Sequence, residues 1–113
     1  MNRLRIGICL GLLLINLAHA ESDARIEYLL TAVGTSDCTF IRNGTEHTAA
    51  AAEDHLRMKY KRGKLWVKNA EAFIERIASQ STLSGEPYRV RCPQQPPQTT
   101  QKWLQAQLAA YSR

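Results

Sequence analysis

Apolar side chains recur at helical spacing in four segments of the chain. In residues 23–33 they take the i, i+3, i+4 and i+7 positions of one buried stripe, namely Ile26, Leu29, Leu30 and Val33. Ser22 and Gly34 are placed to begin and to end this first helix. A second helix is predicted over residues 48–62, with Thr48 as its N-cap. Its inward stripe is narrow and rich in alanine: Ala49, Ala52, Leu56 and Tyr60.

Two further helices follow the same spacing. A third is predicted over residues 69–79, with an inward face of Ala70, Phe73, Ile74 and Ile77. We interpret residues 64–67, which precede it, as a short strand or as a loop pinned by Trp66. A last helix opens at Thr99 or Thr100. Its predicted inward side chains are Trp103, Leu104, Leu108 and Tyr111.

The run over residues 38–47 is typical of a tight β-hairpin. Its β-branched and aromatic residues lead into Asn43-Gly44, a pair that supplies the two positive φ angles of a type I′ turn. Because side chains alternate along a strand, we expect one face of the first strand to carry Cys38, Phe40 and Arg42.

Period-2 alternation indicates one more strand. Tyr88, Val90 and Cys92 alternate with Arg89 and Arg91, as in a strand with one solvated face. Three prolines within the next five residues end it. The elements together predict an α+β domain in which about four helices pack on a small antiparallel sheet, made of the Asn-Gly hairpin and this later strand.

The N-terminal residues have the pattern of a secretory signal peptide. Two arginines precede an apolar run over residues 6–17 and the small-residue pattern Ala18-His19-Ala20. Cleavage between Ala20 and Glu21 would leave a single compact periplasmic domain, residues 21–113. The apolar run is about a dozen residues, short of the ~20 that span a bilayer. We therefore expect no transmembrane segment in the mature form.

Cleavage changes the composition that bears on function. The chain has 113 residues, 15 Lys+Arg against 10 Asp+Glu and three cysteines. Without residues 1–20 it has 93 residues, 13 cationic side chains and two cysteines. In an oxidising compartment the two that remain, Cys38 and Cys92, predict a disulfide that stabilises a small core. The alternative is a Cys38 thiolate nucleophile paired with His47 or His55.

The excess positive charge is concentrated in one segment. Between His55 and Ala70 there are six cations and no acid: Arg57, Lys59, Lys61, Arg62, Lys64 and Lys68. They could hold phosphates of lipid A or anionic lipids, or carboxylates of cell-wall peptides. Alternatively, they complement a helix C-terminus and keep a solvated face soluble. The mature net charge of only +3 and the export signal argue against nucleic acid as a partner.

Metal-ligating residues occur without the spacing that a metal site needs. His47 and His55, with Cys38 or Asp54, could in principle gather a zinc ion, but the chain has no Cys-x-x-Cys and no His-x-x-x-His motif. We expect no metal and no cofactor. His55 is interpreted as part of a hydrogen-bonding group at a helix edge.

A serine hydrolase would require a serine and a base in one place. Ser79, Ser81 and Ser84 surround one loop, and Lys59 is a conceivable base for one of them. No Gly-x-Ser-x-Gly or Ser-x-x-Lys motif marks any of these serines, which favours turn and capping roles. We therefore assign no catalytic residue.

Spaced blocks of residues resemble a known family. The blocks read Ser36-x-Cys38-x-Phe40-Ile41-Arg42-Asn43-Gly44, Ala52-x-x-His55-Leu56-x-x-Lys59-Tyr60, Phe73-Ile74-x-x-Ile77-Ala78-Ser79-x-Ser81, Ser84-Gly85-x-Pro87-Tyr88-x-Val90-x-Cys92 and Trp103-Leu104. This looks like the YfeK-like family of small exported proteins of Gram-negative bacteria, a family of unknown function. The resemblance covers nearly all of the mature chain. It implies a periplasmic location and no particular activity.

A shorter resemblance suggests a specific alternative. Ser84-Gly85-Glu86-Pro87-Tyr88 is similar to the Ser-Gly-x-x-Tyr loop that small periplasmic lysozyme inhibitors insert into the enzyme's cleft. There a serine hydroxyl can bond catalytic carboxylates, and Lys59 or Arg89 would suit the acidic surroundings. Those inhibitors are mainly β-barrels and their second motif is absent here. The structural interpretation is that Gly85 makes a turn and Tyr88 packs inward.

The function that these observations favour is a non-catalytic binding or envelope-assembly factor in the periplasm. Its partner would be an envelope protein or an anionic envelope component, and its oligomeric state stays open. The candidate binding residues are Arg42, Asn43, His55, Lys59, Ser84 and Tyr88. The alternatives are an inhibitor of a cell-wall hydrolase acting through the Ser84 loop, and a hydrolase with a serine or Cys38 nucleophile.

Overall fold

The computed structural model describes residues 20–111, which form four helices and a four-stranded antiparallel sheet. The helices are α1 (residues 20–34), α2 (Ala49–Gly63), α3 (Ala70–Arg76) and α4 (Thr100–Tyr111). The strands are β1 (Thr39–Arg42), β2 (Thr45–His47), β3 (Arg89–Arg91) and β4 (Gln98–Thr99). The predicted α+β class is confirmed. The predicted signal peptide lies, except for Ala20, outside the described residues.

Helix α1 begins earlier than the sequence indicates. Its backbone is already helical at residue 20, so Ser22 lies inside the helix and does not cap it. The predicted apolar stripe is buried: Ile26, Leu29, Leu30 and Val33. Gly34 ends the helix next to Glu53 of α2, and a Cβ at this position would collide with that carboxylate. Glycine here leaves room for the side chain of the neighbouring helix.

Side-chain oxygens cap the other three helices. Those of Thr48, Asn69 and Thr99 accept backbone N–H groups in the first turns of α2, α3 and α4. Each of these residues lies where the sequence places a helix start. No helix of the described residues is long and apolar enough to cross a membrane.

The sheet order is β2-β1-β3-β4, so the hairpin is joined by strands from the C-terminal half. Phe40 of β1 lies opposite His47 of β2 on one side and Val90 of β3 on the other. Asn43 and Gly44 have φ angles of 51° and 76°, which confirms the turn with two positive φ angles. Strand β4 was not predicted. It consists of two residues that pair with β3 just before α4 begins.

The disulfide between Cys38 and Cys92 is present, as predicted, and joins residues 54 positions apart. Thr39 of β1 is the register partner of Arg91 of β3, so the two cysteines flank a paired position at the end of adjacent strands. Both sulfurs are therefore bonded and buried. This corrects the alternative of a Cys38 thiolate nucleophile.

The segment before α3 differs from both interpretations of the sequence. Residues Lys64–Trp66 form a 3₁₀ turn, neither a strand nor a loop pinned by tryptophan. Val67 is buried, whereas the side chain of Trp66 is 72% exposed. The turn continues the path of α2 and brings Val67, the residue after it, to the core.

Two helix ends also differ from the prediction. Helix α3 stops at Arg76, and the residues after it pair with the chain ahead of β3: the Ser79 carbonyl accepts from the Tyr88 N–H, and Gln80 pairs with Pro87. In α4 the predicted Trp103, Leu104 and Leu108 are buried. Tyr111 is 43% exposed and packs on the ring of Tyr28 of α1, with ring centroids 4.6 Å apart.

Candidate functional site

An open cleft of about 540 Å³ lies between α2, the tip of the β1–β2 hairpin and the loop that leads from α3 to β3. Four cations line it: Arg42, Lys59, Arg62 and Arg76. The polar lining comprises Asn43, His55, Ser81, Thr82 and Tyr88, and the apolar lining comprises Met58, Ile77 and Leu83. We call this cavity the cationic cleft.

Simple helix and strand geometry places the charges of the cationic cleft. His55, Lys59 and Arg62 are spaced i, i+4 and i+7 on α2, so they share one face of that helix. Arg42 is the last residue of β1, and its side chain belongs to the same sheet face as Phe40. Arg76 ends α3 and directs Nη1 to the carbonyl oxygen of Trp66 at 2.7 Å.

No carboxylate neutralises these cations. The lining of the cleft contains neither Asp nor Glu. The ion pairs within residues 20–111 all lie elsewhere: Arg25 with Glu71, Arg57 with Glu27 and Glu53, and Arg91 with Glu46. The cleft therefore holds an uncompensated positive charge in a concave, partly apolar surface, where the field of each charge is screened less than on an open face.

The six cations of segment 57–68 do not act as one patch. Arg57 bridges Glu27 of α1 and Glu53 of its own helix, which holds α1 and α2 together. Lys59 and Arg62 line the cleft. The remaining three, Lys61, Lys64 and Lys68, are exposed outside it. The tertiary structure thus divides these cations among three electrostatic environments.

Lys59, Tyr88 and His55 form a hydrogen-bonded chain at the base of the cleft. Lys59 Nζ donates to the Tyr88 hydroxyl at 3.0 Å and to the carbonyl of Gln80 at 3.0 Å. The same hydroxyl lies 3.3 Å from His55 Nε2. Because an ammonium group only donates, the Tyr88 oxygen accepts from Lys59. The Tyr88 hydroxyl can then donate its own proton to His55 Nε2. In that arrangement the single N–H of the neutral His55 ring is at Nδ1.

Burial and like charge shift the pKa values of this chain. Burial, and then the charges of Arg42, Lys59 and His47, lower the pKa of His55 to about 4. Burial, and then Arg42, also lower the pKa of Lys59. Burial raises the pKa of Tyr88, against a smaller opposite effect of Arg42. His55 is therefore neutral near pH 7 and able to accept a proton in a hydrogen bond.

Asn43 fastens the hairpin tip to the loop on the other side of the cleft. Its Nδ2 donates to Ser81 Oγ at 3.2 Å, and its Oδ1 accepts from Ser84 Oγ. Ser81 Oγ also accepts from the backbone N–H of Ser84. The two serine hydroxyls are thus bonded to Asn43, and Lys59 is bonded to Tyr88, which is a different arrangement from a serine–lysine pair.

Five of the six candidate binding residues line the cationic cleft: Arg42, Asn43, His55, Lys59 and Tyr88. Ser84 lies beside it through its bond to Asn43. Sequence reasoning missed Arg76, Met58 and Leu83. Arg76 lies shortly before the loop that contains Ser79 and Ser81, but its position in the chain does not show that it reaches the cleft. The packing of α3 beside α2 brings it there. Leu83 is 97% exposed at the tip of the loop, an exposure that a sequence pattern does not reveal.

A second, smaller cavity of about 20 Å³ adjoins the base of the cleft. Its lining includes His55, Tyr88 and Thr100. The Thr100 hydroxyl is buried and has no hydrogen-bond partner among the described residues. This volume is large enough to hold one water molecule. Within residues 20–111, no three His, Cys, Asp or Glu side chains gather as metal ligands would.

The structure is that of a small disulfide-linked α+β protein with a cationic cleft. Residues 20–112 match the model of the family described as "Family of unknown function (DUF5329)", and the chain belongs to this family. It is similar to the uncharacterized protein YfeK of Salmonella typhimurium, with 39% identity over 71 residues, or 62% of this chain. The match spans 59% of that relative's length. The predicted YfeK-like family is confirmed. No solved structure matches the chain.

Proposed function

We propose that this protein is a non-catalytic periplasmic binding protein that holds an anionic group of an envelope component in the cationic cleft. The observation that carries the proposal is the set of four cations without a carboxylate beside them. The side chains of Arg42 and Arg62 make no hydrogen bond or ion pair with another described residue, so their guanidinium donors are available to a ligand. A phosphate or carboxylate suits such convergent donors.

The apolar part of the cleft narrows the ligand class. Met58, Ile77 and Leu83 line the same cavity as the cations. A ligand that buries apolar surface against them while its anionic group meets Arg42 and Arg62 would use both halves of the lining. We therefore propose an amphiphilic anion, with a short apolar portion next to the charged group.

The bonding of the nucleophilic and basic groups supports a binding role over a catalytic one. Cys38 is cross-linked, and the hydroxyls of Ser81 and Ser84 bond Asn43. Lys59 and His55 both bond Tyr88. These groups position the walls of the cleft, and none is paired as a nucleophile with its base.

Titration with small amphiphilic anions tests the proposal. The probes are hexyl phosphate and hexanoate, with hexanol as the uncharged control, and the measurement is the shift of backbone amide resonances. We expect at least one anion to shift resonances of the cleft and Arg42→Gln with Arg62→Gln to raise Kd by about tenfold or more, since charge-assisted hydrogen bonds are lost. Arg89→Gln, an exposed cation of β3 outside the cleft, is the matched control. Absence of shifts with both anions would overturn the proposal.

The periplasmic location is a separate proposal with its own test. It is supported by the leader-like residues 1–20 and by a disulfide, which persists in oxidising compartments. Fractionation of cells that express the full chain should recover it from the periplasm with Glu21 as its first residue, as determined by mass. Recovery from the cytoplasm with residues 1–20 intact would contradict it.

Inhibition of a lysozyme is the second candidate. Ser84 is exposed at the loop tip next to Leu83, which supports contact with a partner. Tyr88, by contrast, is buried and bonded to Lys59, so it is not presented by the loop. The wild-type protein should slow lysis by a lysozyme and Ser84→Ala should weaken the effect. If no lysozyme class is inhibited, this candidate fails while the anion-binding proposal stands.

A further inference from the structure

Two large apolar side chains point into solvent at the 3₁₀ turn after α2. Leu65 is 84% exposed and Trp66 is 72% exposed. The turn is held at both ends: α2 precedes it directly, and Val67 is buried behind it. Arg76 also bonds the Trp66 carbonyl at 2.7 Å. The exposed pair is therefore attached to a fixed backbone and cannot fold back onto the core without breaking these contacts.

Cations surround this apolar pair. Lys61, Lys64 and Lys68 are exposed within four residues of Leu65 or Trp66, and no acid occurs from His55 to Ala70. These lysines make no ion pair with any carboxylate of residues 20–111. Lys64 Nζ lies 5.9 Å from the ring centroid of Tyr60. We call these five residues, Leu65, Trp66, Lys61, Lys64 and Lys68, the tryptophan turn.

We propose that the tryptophan turn docks the protein on the surface of a bilayer that contains anionic phospholipid. Trp is the side chain that most favours the boundary between headgroups and acyl chains, and Leu adds apolar area next to it. Lysines within a Debye length of the surface are attracted by negative headgroups. The apolar side chains of the turn can enter the boundary of the acyl chains, while the lysines around them contact the negative headgroups.

The charge of the turn argues against a second copy of the chain as its occupant. A symmetric dimer through this surface would place the same lysines of both copies next to each other. No carboxylate of segment 55–70 is available to offset that repulsion. A bilayer with anionic headgroups supplies the compensating charge over the whole surface. The proposal does not depend on a ligand in the cationic cleft, because none of its five residues lines that cleft.

Co-sedimentation with lipid vesicles tests the proposal on protein recovered by export from a bacterial host, with its N-terminus determined by mass. The vesicles are pure phosphatidylcholine or phosphatidylcholine with about 30% phosphatidylglycerol, a mixture that gives a negative surface. We expect binding to the anionic vesicles only, weakened when salt is raised from about 0.05 M to about 0.5 M.

Variants separate the apolar and the charged contributions. Leu65→Ser with Trp66→Ser should lower the partition coefficient by about tenfold or more, because the buried apolar area is lost. Lys64→Glu with Lys68→Glu should lower it to a similar extent at low salt. The matched control is Lys102→Glu, at an exposed lysine of α4, which should change the partition coefficient by less than twofold. Because all five positions are exposed, the variants should fold, and circular dichroism checks this.

Fluorescence shows whether Trp66 itself enters the bilayer. Trp103 is buried in the core, so lipids with brominated acyl chains should quench mainly Trp66. The quenching should disappear in Trp66→Phe. The proposal is overturned if the wild-type protein does not sediment with anionic vesicles. It is also overturned if the double variant, Leu65→Ser with Trp66→Ser, sediments with them as much as the wild type does. A dimer in sedimentation equilibrium that these substitutions dissociate also overturns it, since the turn would then be a subunit interface.

Discussion

The hydroxyl of Tyr88 lies 3.3 Å from Nε2 of His55, at the boundary between the core and the cationic cleft. The Tyr88 oxygen also accepts a hydrogen bond from the ammonium of Lys59. Burial, and then the charge of Arg42, lower the pKa of both His55 and Lys59. A protonated His55 would therefore add a like charge to a partly desolvated group of charges. The neutral imidazole is the form that the folded protein stabilises.

This relationship predicts a loss of stability in mild acid. The pKa of His55 is about 4 in the folded protein, below its ordinary value of 6.5. A lowered pKa in the folded state means that the unfolded state binds the proton first. The contribution of His55 is thus fully present above about pH 6.5 and is lost as the pH falls from there to about 4. After allowance for solvent screening, we expect a loss of about 1–2 kcal/mol.

Urea unfolding at several pH values between 7 and 4 measures this effect. His55→Gln keeps a polar side chain that does not titrate, so its free energy of unfolding should fall less over this range than that of the wild type. The His55 ring resonance, assigned by its absence in His55→Gln, should titrate near pH 4. Parallel pH profiles for the two proteins would contradict the prediction.

Two substitutions of Asn43 should separate backbone strain from side-chain bonding. Asn43→Gly retains the positive φ angle of 51° but loses the bonds to Ser81 and Ser84, so it should destabilise by about 1–2 kcal/mol. Asn43→Ala should cost about 1 kcal/mol more, because alanine disfavours positive φ. Both variants should increase amide hydrogen exchange in loop 81–85. Equal stability of the two variants would show that the turn does not impose this conformation.

The adjacent threonines at the start of α4 should respond in opposite directions to the same substitution. Thr100→Val removes a buried hydroxyl without a partner among the described residues and should stabilise by about 1 kcal/mol. Thr99→Val removes the N-cap bond to Lys102 and should destabilise by about 1 kcal/mol. Thermal and urea unfolding measure both. A destabilising Thr100→Val would show that its hydroxyl is bonded to a water in the adjoining cavity.

The disulfide should account for a large part of the stability. It closes a loop of 54 residues in sequence, and the chain-entropy estimate for such a loop is about 4 kcal/mol. Cys38→Ser with Cys92→Ser should lower the free energy of unfolding by that amount, and reductant should affect only the wild type. Protein purified without residues 1–20 should resist alkylation until it is reduced. Alkylation of both thiols without reductant would contradict the prediction.

Local signals were sufficient for most elements. Thr48 and Asn69 cap helices because a side-chain oxygen bonds an N–H three residues later, an interaction contained within one turn. The Asn43-Gly44 turn depends only on the φ preferences of two residues. Strand β4 has no such signal, because two residues after a proline pair extend only where β3 offers them hydrogen bonds.

The sequence by itself determined the α+β class, the starts of α2, α3 and α4, the hairpin and the cysteine pair, because each depends on short-range signals or on a count of residues. Only the tertiary structure decided which cations have a carboxylate partner: Arg57 is paired with Glu27, thirty positions away, whereas Arg42, Lys59 and Arg62 meet in a cleft without a carboxylate. It also decided that Val67 is buried and Trp66 exposed. Such outcomes depend on how separate elements pack against one another, and no spacing along the chain encodes that packing directly.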